Sequence, residues 1–164
     1  MIYKEAERMK RSQINYRIQA ERDATYSTLL DVSASKYADS RKLDKNPETR
    51  GYLVLESAKA VMKASFSIPV PLLRKDGNIR KELAGVAMSR YVEAAMLFKE
   101  AIARESSAAK KEMLGERALA AANRALKAAL IKGIEMEGDD FENLIKWRYE
   151  LGVHMKAAMM PARR

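Results

Sequence analysis

Apolar residues recur every three or four positions along most of this chain, which is the spacing of an amphipathic helix. Between residues 79 and 104, for example, Leu83, Ala87, Ala94 and Leu97 fall on one side of a helix with about 3.6 residues per turn. Residues that cap or break helices divide the pattern into four such segments. They cover about residues 47–66, 79–104, 107–135 and 139–155. The sequence therefore predicts an all-α protein, an antiparallel up-and-down four-helix bundle over residues 46–164.

The boundaries of the predicted helices have a physical basis. Asn46 offers an acceptor to the free N–H groups at a helix start, and the ring of Pro47 fixes φ for the first helical position. Pro69 and Pro71 prevent the first helix from continuing, because proline lacks the N–H that a helix interior needs. Ser106-Ser107 then offers a cap for the third helix.

Residues 1–45 differ from the rest and are predicted to form a helical arm outside the bundle. Residues 1–22 contain no Gly or Pro, and their apolar positions form only a narrow strip on a charged helix. Residues 23–45 carry several Ser and Thr residues, whose hydroxyls compete for backbone groups. We therefore expect this second part of the arm to bend or fray, and the bundle to fold without the arm.

Composition narrows the function. The 164 residues include 31 Lys and Arg against 22 Asp and Glu, a formal net charge of +9 that attracts anions such as nucleic-acid phosphates or acidic lipid. The chain has no cysteine, one histidine (His154), and no phosphate-binding glycine motif or nucleophile elbow, so we predict no enzyme, no metal site and no cofactor. No apolar run reaches the roughly 18 residues of a membrane span, and a secretory signal is lacking, so we expect no membrane association and a cytoplasmic location.

Three basic residues repeat at seven-residue intervals on the third predicted helix, opposite its predicted core side, which carries Leu119, Leu126 and Leu130. They are Lys110, Arg117 and Arg124, and Lys132 falls close to the same line. Such a stripe can follow a phosphate backbone with salt-dependent affinity, because each contact releases counterions. Two alternatives fit the same pattern: a solvated helix face, and a face that pairs with acidic residues on the second helix of another subunit.

The second predicted helix carries a second apolar face beside the one predicted for the core. It consists of Met88, Val92, Ala95 and Ile102. Apolar surface of this kind marks contacts with other chains. The sequence therefore predicts a homo-oligomer.

Two arginines interrupt the apolar faces, Arg90 on the second predicted helix and Arg148 on the fourth. An unpaired guanidinium is too costly to bury in an apolar core. Two alternatives remain. These arginines extend to solvent or pair with carboxylates, or the helix faces surround a wet pore that holds anions.

Residues 71–80 read PLLRKDGNIR and contain a Pro-x-x-Arg pattern between the first two predicted helices. Val92-Glu93, Ser106-Ser107, the Ala- and Leu-rich middle of the third helix, and residues 141–152 continue a similar series of short signals. Together, over about residues 50–160, these segments resemble the accessory variability determinant family of diversity-generating retroelements. Compact members of that family lack an arm like residues 1–45.

The resemblance implies a four-helix bundle that assembles as a pentameric, positively charged barrel. It implies a non-catalytic accessory protein that binds the element's reverse transcriptase and template RNA and supports mutagenic cDNA synthesis. The residues that best match its contacts to RNA or DNA are Arg74, Lys75, Arg80, Lys110, Arg117 and Arg124. The alternatives are the helical small subunit of a CRISPR effector, which also lines up along nucleic acid, and an assembly protein that binds none.

Overall fold

The computed structural model describes residues 2–42 and 46–133, together with the single helical residues Lys146 and Tyr149. Nearly all of these residues are helical, and no strand occurs among them. The helices are α1 (Ile2–Arg41), α2 (Pro47–Phe66), α3 (Val70–Lys75), α4 (Ile79–Arg104) and α5 (Ala108–Lys132). The predicted all-α class is therefore confirmed for this part of the chain. Apart from Lys146 and Tyr149, the predicted fourth bundle helix lies outside the described residues, as do Arg148 and His154.

The predicted boundaries of α2 and α4 are confirmed. Asn46 caps α2 as expected, because its Oδ1 accepts a hydrogen bond from the backbone N–H of Thr49 at 3.2 Å. The side chain of Ser107 caps α5 in the same way. α5 ends at Lys132, before the predicted position, because Gly133 has a φ of 64°. This left-handed conformation ends helices and favours glycine.

The sequence patterns missed α3. Its start depends on the same prolines that end α2. Pro71 lies in the first turn of α3, where its missing N–H has no helical partner in any case. The carbonyl of Pro69 accepts hydrogen bonds from the backbone N–H groups of Leu72 and Leu73, both at 3.1 Å. Proline thus ends one helix, as predicted, and also begins the next one.

α1 is one unbroken helix of 40 residues, so the bend or fraying expected between residues 23 and 45 is wrong for the part described, up to residue 42. Two hydroxyls in this segment bond to carbonyls of the preceding turn without displacing the helix. Thr25 donates to the carbonyl of Glu21 at 2.8 Å, and Ser40 donates to that of Tyr37 at 2.6 Å. Packing of this half of α1 on α2 supports the helix further.

Contacts near the helix ends fix the directions of the helices. The start of α2 faces the end of α4, because the ring of Phe98 packs against Gly51. The start of α4 faces the end of α5, because the stem of Lys132 covers Gly85. α2 and α5 therefore run parallel to each other and antiparallel to α4, which packs against both.

The core is a seam of mostly small side chains between α2, α4 and α5. Its largest fully buried apolar residues are Val54, Phe98 and Leu114. Alanine fills most of the remaining space on α4 and α5. The buried alanines of these helices are Ala84, Ala87, Ala94, Ala95, Ala101, Ala118, Ala121, Ala122, Ala125, Ala128 and Ala129. Such small side chains let the helices approach closely.

Two predictions about apolar faces are wrong. Ala95, predicted on the second face of α4, is fully buried, and Met88, Val92 and Ile102 pack half-buried against the core. Because both α2 and α5 contact α4, its buried arc is wide and includes both predicted faces, so these residues belong to the chain's own core. Conversely, Leu130 was predicted on the core side of α5 and is 77% exposed. The alanines of α5, with the buried Leu114 and the partly buried Leu126, form its core side.

Two glycines provide a matched test of this packing. A Cβ built at Gly51 would lie 2.9 Å from Cε1 of the buried Phe98 ring, whereas one at Gly85 would lie 2.9 Å from Cδ of the flexible Lys132 stem. We expect Gly51→Ala to lower the free energy of unfolding by about 1 kcal/mol or more, because overpacking outweighs the better helix propensity of alanine. Gly85→Ala should raise it by about 0.5–1 kcal/mol. Urea denaturation measures both, and changes of the same sign would contradict this packing.

Candidate nucleic-acid interface

The predicted basic residues are divided between two ends of the helices. Because α2 and α5 run parallel and α4 antiparallel, one end collects α3, the last turns of α2 and α5, and the first two turns of α4. We call this end, residues 62–85 and 127–133, the α3 end. Arg74, Lys75, Arg80 and Lys132 lie there, Lys110 lies at the opposite end, and Arg117 and Arg124 lie between them on α5.

Lys110 forms structural ion pairs. Its Nζ lies 2.9 Å from a carboxylate oxygen of Glu48 and 3.2 Å from one of Glu105. Hydrogen bonds to Glu48 and then Glu105 raise the pKa of Lys110, while the backbone N–H of Ser107 and the Lys110 ammonium lower the pKa of Glu105. The lysine therefore ties the start of α5 to the start of α2 and offers a phosphate no unpaired charge.

The other two residues of the predicted stripe lie beside tyrosines. The guanidinium carbon of Arg117 is 5.8 Å from the centroid of the Tyr52 ring, within the range of a cation–π contact. Arg124 is exposed on α5, and its charge opposes the rise that burial causes in the pKa of Tyr91. The stripe thus consists of one paired lysine and two arginines with exposed side chains on the flank of α5.

At the α3 end, two of the predicted residues also support the fold. Arg80 donates from Nε to the carbonyl of Ser65 at 3.0 Å, which ties the start of α4 to the end of α2. The stem of Lys132 covers a glycine of α4, although the residue as a whole is exposed. Arg74 and Lys75 are exposed in the last turn of α3. All four of these predicted residues are accessible to solvent.

Sequence reasoning missed three further basic residues at the α3 end: Lys63 on α2, Lys81 on α4 and Lys127 on α5, all exposed. The described residues of this end include seven basic side chains and only two acidic ones, Asp76 and Glu82. None of the seven forms an ion pair with another described residue. Each segment by itself is unremarkable in sequence, and only the directions of the helices bring these residues together.

Ion pairs concentrate at the opposite end. They are Arg41–Glu93 at 3.3 Å, Lys42–Asp39 at 3.1 Å and Arg104–Glu100 at 2.5 Å, besides the two pairs of Lys110. A groove of about 510 Å³ at this end is lined by Arg50, Glu93, Lys99 and Glu100 among apolar residues. The two basic and two acidic side chains balance, so this groove does not favour an anion.

Arg90 joins α4 to α1 and α2. Its Nη1 donates to the hydroxyl of Ser33 at 2.5 Å and to that of Ser57 at 2.8 Å, and its guanidinium carbon lies 4.3 Å from the centroid of the Tyr37 ring. Burial lowers the pKa of Arg90, and Tyr37 and Glu93 oppose that shift. Tyr37 also donates its hydroxyl proton to Glu93 at 2.9 Å. Two hydroxyls and a ring therefore hold this guanidinium, and neither sequence-based alternative included them.

The two serines also join α1 directly to α2. Ser33 donates its hydroxyl proton to the carbonyl of Ser57 at 3.0 Å, and Ser57 donates to the carbonyl of Ser33 at 2.8 Å. Both serines are buried. Since only a short link separates α1 from α2, the two helices form an antiparallel pair with Ser33 opposite Ser57.

Comparison of the chain with known proteins found no relative. No protein-family model, no curated protein and no solved structure matches the chain. Among the described helices, none combines the length and the apolar character needed to cross a membrane.

Two truncations of α1 test whether the serine contacts stabilise the fold, because only the longer one removes Ser33. Removing residues 1–23 should leave the thermal midpoint of the remaining chain unchanged, because the described side chains of that part are exposed. Removing residues 1–45 should leave a folded but less stable chain, because Arg90 loses the Ser33 hydroxyl and the Tyr37 ring. Loss of a hydrogen bond to a charged group costs about 1.5–3 kcal/mol. Circular dichroism melts compare the two, and equal midpoints would contradict the role of the serine contacts.

Proposed function

We propose that this chain is a non-catalytic accessory protein that binds nucleic acid, RNA or DNA, through the basic residues of the α3 end. One observation carries the proposal: seven exposed cations meet only two acids there and form no ion pair with another described residue. A phosphate backbone supplies the missing negative charge in a continuous row. Each such contact releases counterions. An unpaired lysine therefore contributes more to the affinity for nucleic acid than a lysine that already forms an ion pair.

Stabilisation of helix ends explains only part of this charge. Lys63, Arg74 and Lys132 lie in last turns, where the helix dipole favours cations. Arg80 and Lys81 lie in the first turn of α4, where the dipole disfavours them. Arg80 gains a backbone hydrogen bond in return, whereas Lys81 has no hydrogen bond or ion pair to another described residue. The position of Lys81 therefore favours an external anionic partner.

The resemblance to accessory variability determinants makes the proposal more specific. Residues 71–80, which carry the Pro-x-x-Arg pattern, form most of α3 and the turn into α4, and so lie at the α3 end. In this proposal residues 139–155 complete a four-helix bundle, five copies assemble as a barrel in the cytoplasm, and the partners are a reverse transcriptase and its template RNA. Arg74, Lys75 and Arg80 are then the residues that both the resemblance and the charge distribution assign to the nucleic acid.

A second candidate function is assembly, either with further copies of the chain alone or as the helical small subunit of a CRISPR effector. Large apolar side chains on the described surface favour it. Phe66 is 56% exposed, Met96 51% and Leu130 77%. Exposed apolar residues that cluster between chains mark contact surfaces. Assembly with further copies of the chain alone requires no nucleic acid, whereas a CRISPR small subunit would also lie along nucleic acid.

Assembly has a direct test. We expect light scattering at tens of micromolar to give a mass of several protomers, and Leu130→Glu to lower that mass, because Leu130 is the most exposed apolar residue described on α5. Circular dichroism should show unchanged helix content, since this side chain contributes little to the core. A single-protomer mass for the unaltered chain would exclude both the pentamer and assembly with further copies of the chain alone.

Nucleic-acid binding has a matched pair of variants. Lys75→Gln/Lys81→Gln removes two unpaired charges at the α3 end, whereas Lys59→Gln/Lys110→Gln removes two paired ones. With a fluorescent RNA or DNA duplex, we expect the first variant to reduce the slope of log affinity against log salt by about 0.9 for each phosphate that it no longer neutralises, and the second to change it little. Anisotropy over a salt series measures both slopes. Equal reductions would place the phosphate-binding residues elsewhere, and absence of binding by the unaltered chain would overturn the function.

A further inference from the structure

α1 extends well past the other helices at the α3 end. In an antiparallel pair with Ser33 opposite Ser57, the last residue of α2, Phe66, lies level with Ala24. Residues 2–23 therefore project beyond α2 over a length of about 33 Å, at about 1.5 Å per residue. The described side chains of this overhang are exposed.

The overhang carries basic residues on the same side of α1 that packs against the bundle in its C-terminal half. Ser33 marks that side, because it contacts both α2 and α4. At about 100° per residue, the positions of Lys4, Arg8 and Arg11 all fall within about 40° of the Ser33 line. The acidic positions Glu7, Glu21 and Asp23 fall farther round the helix, at about 80–120° from that line. The bundle-facing side of the overhang is therefore a basic wall that rises above the α3 end.

We infer that this wall and the α3 end together form one concave corner that holds double-stranded nucleic acid. The inference rests on the proposed function and adds the form of the ligand and a second contact surface. The overhang continues along the helix axes, whereas the α3 end lies across them, so the two basic surfaces meet at an angle. A double helix is a convex rod that carries one phosphate charge per about 1.7 Å of its axis, on all sides. A rod lying in the corner contacts both surfaces at once.

The wall is tested by a second matched pair on the same helix. Arg8→Gln/Arg11→Gln neutralises the wall, and Lys10→Gln/Arg17→Gln neutralises two exposed residues on the opposite side of the overhang. Glutamine keeps a helix propensity close to that of arginine and lysine, so both variants remain helical. For a 20-base-pair duplex at 0.1 M salt, removing the neutralisation of two phosphates corresponds to about a 60-fold rise in Kd. We expect that rise for the wall variant and less than about a threefold change for its control.

Several outcomes separate this inference from the proposed function. If the unaltered chain binds the duplex but the two overhang variants lose affinity equally, or neither does, the corner is overturned and the function stands. Tighter binding to a 20-nucleotide single strand than to the duplex would also overturn the corner. If the unaltered chain binds neither ligand, the function itself fails. The chain without residues 1–23 provides a second variant, and its duplex affinity should fall at least as far as that of the wall variant.

Discussion

Two buried hydroxyls and one guanidinium set the position of α1, and much of the molecule's shape depends on them. Ser33 and Ser57 each donate to the other's carbonyl, and Arg90 donates to both hydroxyls. Shifting α1 along α2 would leave these buried donors and acceptors without partners, a cost of about 1–3 kcal/mol for each group. Apolar side chains alone tolerate such a slip far better. The polar contacts therefore fix how far the N-terminal part of α1 extends beyond the bundle and which side it turns towards it.

The charge distribution follows from the same helix directions. Ion pairs of Arg41, Arg104 and Lys110 neutralise cations where α1 and α4 end and where α2 and α5 begin. At the α3 end the basic residues come from four helices that are separated in sequence, and acidic partners are scarce. The positive net charge is thus unevenly placed, and exposed basic residues outnumber acidic ones around α3.

Local features were predictable and tertiary ones were not. The caps at Asn46 and Ser107 act within a few residues, so the bounds of α2 and the start of α5 could be read from the sequence. Whether Ala95 or Leu130 is buried depends on which helices lie beside α4 and α5, information that one helix's pattern does not contain. The stripe on α5 illustrates the same limit. The seven-residue spacing is present in the sequence, but the acidic residues that pair with Lys110 lie outside α5 and could not be inferred from it.

The α3 end carries charge that the fold itself only partly stabilises. The ends of α2, α3 and α5 favour their cations through the helix dipole, but the start of α4 does not, and neighbouring cations repel one another. Salt screens that repulsion over a distance of about 10 Å at 0.1 M, so it should stabilise this end of the fold while it weakens the proposed binding to phosphates. In the proposed function, a bound nucleic acid would replace the screening ions and relieve the same repulsion, and it would stabilise the folded chain in proportion to its occupancy. The repulsion among these cations and the affinity for phosphate that we propose for them therefore have one physical origin.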